Sequence, residues 1–275
     1  MDLFEEIARL RKAGVKAALA TIVNVRGSIP SYESAKLLVR EDGSIFGTVG
    51  GGCVEAEVLT AAREVMEVEK PRKLTFNLNN DPSYDTGLLC GGTLEVFVEP
   101  ILPIPYLYIF GAGHVSLSLS KIATMAGFAT VIVDDRETYA NKERFPEAAE
   151  VYAGEYEEIF RKLEPNSSSF LVAVTRGHRD DMRVLRWAIT TPARYVGMIG
   201  SKRKVLEIIH FLEEKEGISA EKLVQVHAPI GLDIGAQSPE EIAVSIVAEL
   251  IAVRRHATLE GKPLTKSILA VSERT

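Results

Sequence analysis

The fold turns on Tyr106-Leu107-Tyr108-Ile109-Phe110-Gly111-Ala112-Gly113-His114-Val115-Ser116. Five apolar, mostly aromatic or branched residues in a row suit a strand buried on both faces. A Gly-x-Gly turn follows at once, and Val115 to Ala126 then carries helical spacing. The first glycine, Gly111, permits the tight turn, and Gly113 lets backbone approach a phosphate at the helix N-terminus. Ser116 stands where glycine or alanine would give the closest helix–sheet packing. About twenty residues on, the next apolar run ends in Asp134-Asp135, where a carboxylate such as that of Asp134 can accept ribose hydroxyls. His114 opens the helix, within reach of a phosphate or simply facing solvent.

Working outward, the same alternation continues. Ala129 to Val133, Ser169 to Val174 and Tyr195 to Ile199 read as strands. Tyr156 to Leu163, Asp181 to Thr190 and Lys202 to Lys215 read as helices, and a last helix spans Pro239 to Ala257 with Ser238 as N-cap. The pattern predicts an α/β fold, a Rossmann-like doubly wound parallel sheet with right-handed crossovers. Such sheets place ligands at the carboxyl ends of their strands. Two further strand ends feed that edge, Thr175 to Asp181 and Gly197 to Lys204. Ser201, Lys202 and Arg203 at a helix start make an anion site, or equally a solvated basic turn. His178 has no carboxylate at fixed local spacing, so no catalytic residue is assigned. A Rossmann-like fold that holds no dinucleotide is the other reading.

Upstream, Glu99-Pro100-Ile101-Leu102-Pro103-Ile104-Pro105 concentrates three prolines, which favours a stiff extended linker over 100–105. It separates a smaller α+β domain, residues 1–99, from the Rossmann-like domain, residues 106–275. In the smaller domain Val15 to Val25, Ala35 to Arg40, Ser44 to Val49, Lys73 to Leu78 and Thr93 to Val98 read as strands. Asp42-Gly43 is a hairpin turn, and Val54 to Val68 a helix. Asn77 to Gly92 forms a long polar loop, of a length more often functional than idle.

Two glycine-rich turns in this domain carry the only cysteines. Gly50-Gly51-Gly52-Cys53 runs from a strand into a helix, where the positive end of the helix dipole stabilises a thiolate. Cys90-Gly91-Gly92 closes the polar loop. Glycine N–H groups can hold anionic oxygen, and thiolates are soft ligands for a soft metal centre or a transferred sulfur. The plain alternative is that both cysteines are small buried hydrophobes filling tight turns. Neither belongs to a C-x-x-C pair, which argues against structural zinc.

Composition narrows the class. Lys plus Arg number 32 against 38 for Asp plus Glu, a formal charge of −6. That balance argues against nucleic-acid binding, which needs basic surface to displace counterions. Two cysteines are too few for a disulfide scaffold, and Met1 to Arg11 reads as an amphipathic helix without a signal-peptide core, so a reducing cytoplasm is expected. Ile242 to Val253 is interrupted by Ser245 and Glu249 and falls well short of the roughly 20 residues that span a bilayer. No membrane association is expected.

The chain is identified as a member of a known family by several blocks. Gly27-Ser28-Ile29-Pro30, Gly47-Thr48-Val49-Gly50-Gly51-Gly52-Cys53-Val54-Glu55 and Cys90-Gly91-Gly92 resemble the N-terminal domain of the XdhC/CoxI family. Gly111 to Val115, Tyr195 to Lys204, Pro229 to Ala236 and Pro239 to Ile246 resemble its C-terminal Rossmann domain. The resemblance implies an accessory factor for molybdenum hydroxylases of the xanthine dehydrogenase class. Such a factor binds the molybdenum–pterin cofactor, as such or in a dinucleotide form, supports its sulfuration by a cysteine desulfurase, and delivers it to the apoenzyme. Cys53 and Cys90 map onto the motif cysteines and become the candidates for molybdenum or sulfur contact. A homodimer is expected, and the apolar final helix can equally pack such a dimer or the domain core. The competing reading is an oxidoreductase using NAD or NADP, or a nucleotide or redox sensor, built on the Rossmann domain.

Overall fold

The computed structural model describes residues 2–28, 32–78 and 91–257. It divides into two compact units, residues 1–104 and 105–275.

The first unit begins with α1 (Leu3–Lys12), whose start is capped by the Asp2 amide donating to Glu5. Acidic residues occupy its first turn and basic ones its last, as the helix dipole favours. Five strands follow, β1 (Ala17–Ser28), β2 (Lys36–Arg40), β3 (Ile45–Gly47), β4 (Arg72–Asn77) and β5 (Gly91–Ile101), with α2 (Gly52–Val68) between β3 and β4. They form one antiparallel sheet in the order β3-β2-β1-β5-β4. The expected Asp42-Gly43 hairpin is present: Arg40 pairs back to Ser44, and Asp42 accepts the Ser44 amide at 2.9 Å. One stripe of α2, Val54, Val58, Ala62 and Val65, packs into the same apolar cluster as Ala18, Ala20, Val96 and Val98 of the sheet.

The proline segment differs from the stiff linker expected over 100–105. Strand β5 runs on through Pro100, opposite Ala18, to Ile101 opposite Ala17. Proline is tolerated there because β4 has ended, its Arg72 lying opposite Val98, so β5 has an open side. The Ile104 amide donates to the Arg11 carbonyl at 3.0 Å, which ties this segment to α1 as well.

The second unit holds five parallel strands, β6 (Tyr106–Phe110), β7 (Ala129–Asp134), β8 (Glu150–Ala153), β9 (Phe170–Ala173) and β10 (Tyr195–Met198). Their order is β10-β9-β6-β7-β8, so the chain reverses direction across the sheet between β6 and β9. Alternate residues of β6 point to opposite faces: Leu107 and Ile109 join one apolar cluster, Tyr108 and Phe110 the other. The helices are α3 (His114–Met125), α4 (Tyr156–Phe160), α5 (His178–Ala188), α6 (Lys202–Glu214), α7 (Ala220–Leu223) and α8 (Pro239–Arg254). Helices α3 and α8 cover the Leu107 face; α5 and α6 cover the Phe110 face. This is the smaller α+β unit followed by a doubly wound Rossmann-like sheet that the sequence predicts. Strand β8 escapes sequence reading because it has no continuous buried apolar run, unlike the equally short β9 and β10, and helix α7 is a single turn of four residues. Among the described residues no helix is long and apolar enough to cross a membrane.

Candidate functional site

The chain reversal between β6 and β9 opens a cavity of about 240 Å³ at the carboxyl ends of the strands, where such sheets hold ligands. Gly111, Gly113, His114, Asp134, Arg136 and Arg176 are among its walls. Gly111 has φ +107°, and a Cβ there would stand 2.4 Å from the Val174 carbonyl oxygen, so only glycine lets β6 turn this close to β9. Gly113 is different. It is the N-cap of α3 with an ordinary φ of −78°, and a Cβ on it would meet nothing within 4 Å. Neither backbone conformation nor packing within the chain calls for glycine at 113. What its small size leaves open is a cradle at the start of a helix, beside amides that have no partner within the helix. His114 is exposed at the first position of α3.

The Asp134 carboxylate does not face this cavity as a vacant acceptor. Its side chain is 3% exposed. Oδ2 accepts the Ala112 amide at 2.7 Å and Arg136 Nη2 at 2.9 Å. Oδ1 accepts the Arg136 amide at 3.1 Å and Arg136 Nε at 2.8 Å. A carboxylate offers about four lone-pair sites, and all are engaged by the chain itself. Burial pushes this carboxyl up, but the guanidinium and the two amides outweigh it and hold the group below its ordinary 3.8. In this arrangement Asp134 organises the glycine turn, and a ribose hydroxyl would have to displace Arg136. Arg136 is itself held over the Tyr139 ring, its guanidinium carbon 3.9 Å from the centroid. Arg176 reaches the same cavity while pairing with Asp135 at 2.9 Å.

The basic start of α6 goes elsewhere. Ser201 caps the helix by accepting the Lys204 amide at 3.3 Å. Arg203 is 89% exposed and pairs with Glu207 along the helix, and Lys202 is exposed. Lys204 pairs with Asp181, a wholly buried carboxylate that also accepts the Thr175 hydroxyl at 2.7 Å and amide at 3.1 Å. Ser201, Lys202 and Arg203 therefore line neither this cavity nor the next.

A second cavity, about 200 Å³, adjoins the first through the shared residue Ile199. Its walls come from Gly200 and the Pro229–Ala236 loop, with Ile242 and Ser245 of α8. The loop is held from below. Glu249, fully buried on α8, accepts the Gly231 amide and faces His227 Nδ1. Ser245 donates to the Leu232 carbonyl at 2.6 Å. Sequence reading brought Thr175 to Asp181, and with it Arg176, to this edge without giving Arg176 a role, and it did not place Arg136 or this loop in a site; an arginine two positions after Asp134 was the visible signal.

In the first unit Gly50, Gly51 and Gly52 take three successive positive φ angles, +114°, +75° and +64°. This leads the chain from β3 into α2 and sets Cys53, partly exposed, as the second residue of that helix. The Thr48 hydroxyl braces the turn, donating to Glu55 at 2.8 Å and accepting the Gly50 amide at 3.1 Å. Gly91 opens β5 opposite Ser28. Cys90 lies outside the described residues. Among the described residues no three His, Cys, Asp or Glu side chains gather as a metal site.

Comparison with known proteins agrees with this architecture. The model of the XdhC Rossmann domain matches residues 107–250, and that of the XdhC and CoxI family matches residues 10–77. The uncharacterized protein YqeB of Escherichia coli strain K12 is 34% identical over 258 residues, covering 94% of this chain and 47% of YqeB. The chain thus spans about half the length of that relative. The molybdenum cofactor insertion chaperone PaoD of the same strain is 25% identical over 273 residues, covering 89% of this chain and 85% of PaoD. A crystal structure described as a xanthine dehydrogenase from Bacillus halodurans shares the fold, with TM-score 0.52 and 24% identity over 97% of this chain and 99% of that one. With one family model over most of the second unit, another over much of the first, and a relative 34% identical over 94% of this chain, the chain belongs to the XdhC/CoxI family.

Proposed function

We propose that the protein is an accessory factor that takes the molybdenum–pterin cofactor as cargo, supports its sulfuration, and hands it to a molybdenum hydroxylase apoenzyme. Family membership sets the class, and PaoD, named as a molybdenum cofactor insertion chaperone, supports it. The observation that carries the reading is Gly113. Its missing Cβ leaves open space on the wall of a cavity that also presents Arg136, Arg176 and the start of α3. That donor set suits the phosphate of a pterin, alone or within a dinucleotide. Gly111, Gly113 and His114 would face the phosphate, with Asp134 holding the turn and Arg136 in place.

In the first unit, Gly50, Gly51, Gly52 and Gly91 would offer backbone N–H groups to cargo as a contact of that unit's own. Cys53 and Cys90 would contact molybdenum or the sulfur being installed, with a cysteine desulfurase as the sulfur source. Ser201, Lys202 and Arg203 would offer outlying cations to the approach of an anion. The role is that of a carrier acting as a homodimer in the cytoplasm, with domains at 1–99 and 106–275. NAD or NADP is the competing occupant. Against NAD stands the complete engagement of Asp134, which leaves no ready acceptor for a ribose diol.

Anaerobic titration of the purified protein with molybdenum–pterin cofactor, NAD and NADP in parallel tests this. Binding of the pterin that Gly113→Ala weakens, and sulfuration that a Cys53→Ala, Cys90→Ala double variant abolishes, are expected. Binding of a nicotinamide dinucleotide alone would overturn the reading.

A further inference from the structure

The two cavities of the second unit meet at Ile199 and differ in chemistry. The first is lined by Arg136 and Arg176 together with the residues that open α3. The second is walled by Pro229, Ile230, Leu232, Ile234 and Ile242, and its rim bears one carboxylate, Asp233. Asp233 is exposed and has no partner among the described residues.

The loop that carries Asp233 is a built feature. Its Gly231 amide is held by Glu249, a carboxylate with no solvent exposure. Ser245 anchors Leu232 at 2.6 Å, and the Ile230 amide donates to the Met198 carbonyl at 3.0 Å at the end of β10. Burying a carboxylate is costly unless its oxygens are hydrogen-bonded. Here the buried Glu249 side chain serves to hold the Pro229–Ala236 loop in one shape. A pre-shaped apolar slot with one aimed polar group is the form small-molecule sites take.

Resting on the reading of the protein as a pterin carrier, we infer that one ligand lies across both cavities, with its phosphate at Arg136 and Arg176 and a flat heterocycle on the Pro229–Ala236 loop, where Asp233 accepts two N–H groups of an amino–amide edge. The charges set the direction. A phosphate would be repelled by the unpaired Asp233, whereas at the first cavity the carboxylates of Asp134 and Asp135 are already offset by Arg136 and Arg176 and the amides at the start of α3 attract it. A ring bearing adjacent NH₂ and N–H donors matches a carboxylate in one bidentate pair of hydrogen bonds. The apolar walls accept the ring faces. Pterin and guanine both present this edge; adenine and cytosine do not.

The full-length protein and its Asp233→Asn and Gly113→Ala variants would be titrated with 6-hydroxymethylpterin monophosphate, GMP, AMP, nicotinamide mononucleotide and inorganic phosphate. Molybdenum–pterin cofactor itself would be titrated into the wild type and Asp233→Asn. Asp233 is exposed, so its replacement leaves the unfolding temperature unchanged, and Gly113→Ala has no internal clash to strain it.

The wild type is expected to prefer the pterin and guanine ligands over AMP. Asp233→Asn, which offers one acceptor and one donor, should lose that preference by about tenfold or more, with AMP and phosphate unaffected. Gly113→Ala should weaken every phosphate-bearing ligand. Equal binding of pterin phosphate and GMP by wild type and Asp233→Asn would overturn the inference. So would a loss confined to nicotinamide mononucleotide, which would make Asp233 a counter-ion for a cationic ring. If the molybdenum–pterin cofactor binds both proteins alike, the inference fails and the carrier reading stands. If GMP shows the Asp233 dependence and no pterin binds, the edge recognition stands and the carrier reading fails.

Discussion

Asp134 Oδ2 accepts the Ala112 amide at 2.7 Å across 22 positions of sequence, tying the end of β7 to the glycine turn after β6. The bond makes the shape of the phosphate cradle depend on a buried ion pair with Arg136, and this coupling is open to measurement. Trp187 is the sole tryptophan, stacked on Phe160 at 4.4 Å inside the second unit, so its fluorescence follows the unfolding of that unit.

Removing the cation leaves Asp134 charged and buried. Breaking a fully buried pair costs about 3–5 kcal/mol, and because Arg136 is partly exposed the expected loss for Arg136→Ala is nearer 2–3 kcal/mol. Adding Asp134→Asn should restore part of it, since no charge is then stranded. Denaturant curves followed by Trp187 fluorescence check both variants.

The pH dependence has a definite sign. The native Asp134 carboxyl is held below its ordinary 3.8, so its contribution is fully present above that value. It disappears as pH falls further, through the native value. The stability gap between wild type and Arg136→Ala should therefore begin to close above the ordinary 3.8, where the variant's stranded carboxyl, raised by burial, takes up a proton, and should go on closing below it as the native wild-type carboxyl protonates. A gap that is unchanged at pH 3 would show that Arg136 stabilises by packing on Tyr139 alone.

Gly111→Ala and Gly113→Ala should part company. The first forces a side chain into φ +107° and against the Val174 carbonyl. It should destabilise the second unit by about 1–3 kcal/mol from backbone strain, with the clash adding to that. The second should leave stability within about 0.5 kcal/mol of wild type and act on ligand binding only.

Ser116 Oγ is buried without a hydrogen-bond partner among the described residues. Ser116→Ala removes an unsatisfied hydroxyl and should stabilise the unit by about 1 kcal/mol. A fall in thermal midpoint for this variant would mean that the hydroxyl has a partner in solution, such as an ordered water.

In the first unit, Glu6 is buried between Arg9 and Arg40, at 2.7 and 2.8 Å. The Arg9 hydrogen bond leads the causes; burial opposes it, Arg40 reinforces it, and the carboxyl falls from 4.5 to about 2. Glu6→Gln should lower the stability of the wild-type chain at neutral pH, and the difference should vanish between about pH 4.5 and 2. Circular dichroism of the full chain across that range tests it.

Local spacing was enough to read the strand–glycine turn–helix at Tyr106 to Ala126, the alternation behind it, and the Asp42-Gly43 hairpin. Each rests on contacts between residues close in sequence, or on an apolar period that any burial enforces. Strand β8, partly exposed along its length, carries no apolar run to be read, unlike the equally short β9 and β10, and Pro100 looks like a linker because the early end of β4 is invisible in one dimension. The site divides the same way. Gly111 and Gly113 were legible because their turn is local. The engagement of Asp134 by Ala112, the pairing of Lys204 with Asp181, and the meeting of two cavities at Ile199 join residues 22, 23 or more positions apart. Which charges end up paired inside and which face a ligand depends on where parallel strands bring their carboxyl ends together, and only the folded sheet sets that.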